Sequence, residues 1–112
     1  MVEVGMGVDQ HGQDPTKAAV KAIKDAVSRV CIPYLVSEGK LRDFAVEVEV
    51  GVPRSKEVRL KDLEDAIQIG KLRSLKVVEG GLSTACVEMK ELGDRSSEMI
   101  IAVASITVLV RE

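Results

Sequence analysis

Val2, Val4, Met6 and Val8 alternate with Glu3, Gly5, Gly7 and Asp9, a period-two pattern that predicts a half-buried first strand with one face thinned by glycine. Asp14-Pro15 then reads as an N-cap followed by proline at the first helical position. Ala19, Ala22, Ile23, Ala26, Val27 and Val30 recur at helical spacing, so a first helix is expected from Pro15 to Val30, ending before Pro33. Ser37 to Lys40 has the composition of a loop. Beyond it Phe44, Val46, Val48, Val50 and Val52 alternate with Ala45, Glu47, Glu49 and Gly51, the clearest strand pattern in the chain, closed by Pro53.

Lys61 to Ile69 predicts a short second helix with Leu63, Ala66 and Ile67 inward and Gly70 as its stop. Leu75 to Glu79 predicts a third strand, ended by Gly80-Gly81. Ala85 to Leu92 and Met99 to Val110 flank the turn-rich stretch Gly93 to Ser97 and predict a hairpin. The last run is apolar at almost every residue, as expected of a central strand covered on both faces. The expected fold is therefore α+β, one domain over residues 1–112, with two helices packed on one face of a mixed or antiparallel sheet of about five strands. A Val-rich sheet face left without helices predicts subunit contact, hence a homo-oligomer.

Composition narrows the partners. Sixteen Lys plus Arg against eighteen Asp plus Glu give a net charge of −2, and the only aromatics are Tyr34 and Phe44, so neither a basic grip nor stacking platforms for nucleic acid are expected. No apolar run reaches the ~18 residues of a membrane span, and the opening residues carry no leader pattern. Cys31 and Cys86 form no metal-knuckle spacing and read as reduced, buried thiols. The expectation is a cytoplasmic protein without membrane contact.

The dense constellation is Gly5 to Asp14, with three glycines, two carboxylates and the single histidine, His11, between a strand end and a helix start. In extended backbone Asp9 and His11 share a face with Cα atoms ~6.5–7 Å apart, close enough to converge on one divalent ion or for the carboxylate to orient the imidazole. A divalent site needs further ligands, for which Glu47, Glu49, Glu79 or a neighbouring subunit are candidates. Without metal, His11 serves as acid or base with Asp9 fixing its tautomer. Gly5, Gly7 and Gly12 permit close approach by a small-molecule ligand or by another backbone. Asp14, Thr16 and Lys17 at the helix start complete a ligand-binding loop, although Asp14 as cap already places negative charge where an anion would sit. Dinucleotide and P-loop motifs both fail: Gln10 stands where the first needs glycine, and Gln13-Asp14 replace the Lys-Ser/Thr of the second. Three readings stay open: a small enzyme, metal-assisted or His-dependent; a noncatalytic oligomeric binding module; and a tight crossing in which His11 and Asp14 are structural.

Gly5-x-Gly7-x-Asp9-x-His11-Gly12, followed by Gln13-Asp14-x-Thr16-Lys17-Ala18-Ala19 and later by Val77-Val78-Glu79-Gly80-Gly81, resembles a small family of conserved hypothetical proteins named from a Listeria "Lin" locus. The resemblance implies that Gly5, Gly7, Asp9, His11 and Gly12 are a shared signature; it implies no activity. Gly7-Val8-Asp9-Gln10-His11 is also similar to the strand end that supplies Asp and His to a divalent metal in the 2-C-methyl-erythritol cyclodiphosphate synthases. Those enzymes need a further histidine that this chain lacks.

Overall fold

A computed structural model describes residues 1–10, 14–30, 44–85, 91 and 98–110. Its elements are β1 (Val2–Asp9), α1 (Pro15–Ser28), β2 (Phe44–Val52), a 3-10 turn (Ser55–Glu57), α2 (Leu60–Ala66), β3 (Lys71–Glu79), β4 (Leu82–Ala85) and β5 (Glu98–Val110). The strands form one mixed sheet in the order β1-β5-β2-β3, with β4 also paired to β5. β5 runs antiparallel to β1, β2 and β4, whereas β2 and β3 are parallel. β1, β2 and β3 therefore all end at the same margin of the sheet.

The core lies between the helices and one sheet face. Val46, Val48, Val50 and Val52 of β2 are buried beside Ile100, Ala102, Ala104, Ile106 and Val108 of β5, and Ile23 and Leu63 descend onto them from α1 and α2. Over β1 the helix packs without large side chains. Ala18, Ala22 and Ala26 recur every fourth residue along α1, and Gly5 and Gly7 face them, paired in register with Ala104 and Ala102. A Cβ at Gly5 would run into backbone of Ala22 and Ala26, and one at Gly7 into backbone of Ala18 and Ala22. The buried face of β1 is thus its glycine face, and the apolar residues Val2, Val4 and Met6 point outward, 60, 54 and 58% exposed. Alternation alone marks two faces of a strand; the size of the opposing helix decides which one goes in.

Other expectations change at the ends of elements. α1 stops at Ser28 rather than Val30. α2 is shorter than expected, because Ile67 turns to extended backbone, and Gly70 follows at φ 59° against the Phe44 ring instead of capping the helix. β3 begins at Lys71, four residues earlier than its apolar stretch, since parallel pairing with β2 extends it through Lys71 to Ser74. β4 starts at Leu82, not Ala85. The Gly93 to Ser97 linker and most of Ala85 to Leu92 fall outside the described residues, as do Cys31 and Cys86; Ala85 does pair with Glu98, as a hairpin requires. β5 is central as expected, but the described residues cover only one of its faces, and Val103 on the other is 41% exposed.

Candidate functional site

The carboxyl end of β1 meets the start of α1 at a hydrogen-bonded junction. Asp9 is 5% exposed, and its Oδ2 accepts the Asp14 N–H at 2.7 Å. Asp14 in turn caps α1, its Oδ1 accepting the Thr16 N–H at 2.9 Å. Arg59, just before α2, closes the arrangement from the far side: its guanidinium lies 3.3 Å from Asp14 Oδ2 and donates to Asp62 at 2.9 Å, while its backbone N–H donates to Thr16 Oγ1 at 3.0 Å. Burial pushes the Asp14 carboxyl up, but the Thr16 amide, the Arg59 guanidinium and the Lys17 charge outweigh it and hold the group below its ordinary value. The result is a cinched loop, its two ends tied by one buried carboxylate.

The structure brings together Asp9, Asp14 and Thr16, with Lys17 exposed beside them. His11 and Gly12 lie outside the described residues. Gly5 and Gly7 are buried, and the backbone that approaches them is that of α1, which leaves no room for a ligand there. Glu47 is not brought to Asp9. It pairs with Thr107, whose other neighbour is Val2, so Asp9 sits seven residues farther along the strand direction, ~23 Å away. Glu47 also projects from the opposite face of the sheet, with Ser74 Oγ 3.5 Å from its carboxylate. The strand pairing therefore removes Glu47, and Glu49 on the same face, from any ligand set built on Asp9.

Glu79 shares the sheet margin with Asp9 but serves another turn. Its Oε1 accepts the Ser55 N–H and hydroxyl, both at 2.9 Å, and its Oε2 accepts the Arg54 N–H at 3.0 Å, where Arg54 has a left-handed φ of 55°. The Ser55 amide, more than any other group, holds the Glu79 carboxyl below its ordinary value. Among the described residues, no three His, Cys, Asp or Glu side chains gather as a metal-binding group. Arg59 is the member that sequence reasoning missed, because its partners stand 43 and 45 residues away and no local spacing announces them.

No helix among the described residues is long and apolar enough to cross a membrane. A search of curated proteins found no significant match. The fold and the chain are similar to the crystal structure of an FtsZ-like protein of unknown function from Nostoc punctiforme, at 33% identity and a TM-score of 0.84, covering 100% of this chain and 94% of that one. Residues 1–108 match the profile of a family described as conserved hypothetical proteins. With nearly the whole length matched, the chain belongs to that family, Lin0512.

Proposed function

We propose that this protein is a His-dependent small-molecule enzyme whose site is the loop between β1 and α1, with His11 as proton-transfer group and Asp9 as its positioning residue. The observation that carries the reading is the buried Asp9 carboxylate spending one oxygen on the Asp14 amide, which ties together the two ends of the segment containing His11. Its second oxygen is suited to hold one imidazole nitrogen and leave the other for substrate. A metal-assisted version would draw on the same Asp9 and His11 as two donors and need others; the ligand in either case is a small polar molecule.

His11 is the single histidine, so its ring proton resonance can be followed through a pH titration without assignment. The titration midpoint is expected to differ between wild type and Asp9→Asn; identical midpoints sink the positioning role. A thermal-shift screen against metabolites, with and without divalent ions, supplies the substrate class. Turnover of any hit is expected to fall about 10²–10⁴-fold in His11→Ala. A ligand that stabilises wild type and His11→Ala equally, with no turnover by either, would instead favour the noncatalytic binding module.

A further inference from the structure

The sheet has a second face that no element of the described chain covers. From β1 it carries Val2, Val4, Met6 and Val8; from β5, Ile101, Val103, Ser105 and Thr107; from β4, Leu82; and from β2 and β3, Glu47, Glu49, Ser74, Lys76 and Val78, as the strand register requires. Val2, Val4, Met6, Val103 and Leu82 are 41 to 63% exposed. These five alone present on the order of 500 Å² of apolar surface, at the upper end of what a soluble monomer leaves uncovered. The polar residues gather at the other end of the face, lining a shallow depression of about 300 Å³.

We infer that this face is a homotypic interface, on which a second copy of the chain packs sheet against sheet. Two observations turn association away from the sheet edges, and a third fits a second copy on the face. The outer edge of β1 is closed to strand addition, because Lys21 Nζ donates to Val8 O, Asp25 accepts the Met6 N–H and Arg29 donates to Val4 O, all from α1 and its C-cap. The outer edge of β3 carries Lys71, Arg73 and Lys76 within nine residues, so like edges repel. The face itself bears both signs of charge: Glu49 and Lys76 are register neighbours, both exposed, and neither is in an ion pair among the described residues, so two copies of one surface can set carboxylate against ammonium. With its polar end included, the face offers roughly the 800 Å² that each partner contributes to a stable complex. The depression lined by Glu47, Glu49, Ser74, Lys76, Ser105 and Thr107 would then lie between subunits, roofed by the partner.

Sedimentation equilibrium of the full chain across 1–100 μM tests the inference, with circular dichroism to confirm folding of each variant. Wild type is expected at a multiple of 12.1 kDa. Met6→Glu should raise the dissociation constant about tenfold or more, and Val4→Thr, which keeps a β-branched strand former at an exposed site, should raise it less. Glu49→Lys should weaken assembly and Glu49→Lys/Lys76→Glu should recover it. A wild type that stays at 12.1 kDa overturns the inference and leaves the face to another protein or a lipid surface. So does an assembly whose mass survives Met6→Glu and Val4→Thr alike.

Discussion

At Gly7, one hydrogen in place of a side chain lets α1 lie directly on β1. Gly7→Ala puts a methyl into backbone rather than into movable side chains, so relief requires lifting the helix. The substitution is expected to destabilise by about 3 kcal/mol, read as a lower urea midpoint at unchanged slope. Asp14 gives a pH signature. Its folded-state carboxyl is held below the ordinary 3.8, so its stabilising charge interactions are complete above that value and vanish as pH falls through the folded value. Asn at this position keeps a good cap but no charge for Arg59 and Lys17. Asp14→Asn should therefore cost about 0.5 kcal/mol at pH 7, and the gap from wild type should narrow in urea melts as the pH falls below 3.8.

At the scale of elements, α1 both covers β1 and finishes its hydrogen bonding. Lys21, Asp25 and Arg29 stand four residues apart, ~6 Å per step along the helix, and meet Val8, Met6 and Val4, two residues apart and ~6.6 Å per step along the strand. The near match of the two repeats lets one helix face satisfy one strand edge. Hydrogen bonds from Arg29 and from the Met6 amide hold the Asp25 carboxyl below its ordinary value. In Asp25→Ala the Met6 amide should exchange with solvent about tenfold faster, while amides of β5 between β1 and β2 keep their rates. A uniform change across the sheet would contradict a local clamp.

For the whole molecule, the valine ladder of β2 and the Asp14-Pro15 start of α1 were legible in sequence because each is a local pattern with a local cause. The inward face of β1 was not, since Val2, Val4 and Met6 alternate like core residues and only the alanine surface of α1 turns them out. The loop was legible as a place, from its glycines, Asp9 and His11. Its wiring was not: Asp9 to Asp14 spans five residues, but Arg59 arrives from the residue before α2 and Glu47 leaves by strand pairing.

β5 touches β1, β2 and β4, and no other described strand joins β1 to β2. It is also made after every strand it joins. During synthesis, then, β1 and β2 emerge lacking the strand that links them, and sheet closure waits for pairings as distant in sequence as Val2 with Thr107. Nascent chains of this protein should depend on chaperones until β5 clears the ribosome, because until then β2 can pair with β3 but has nothing to join it to β1.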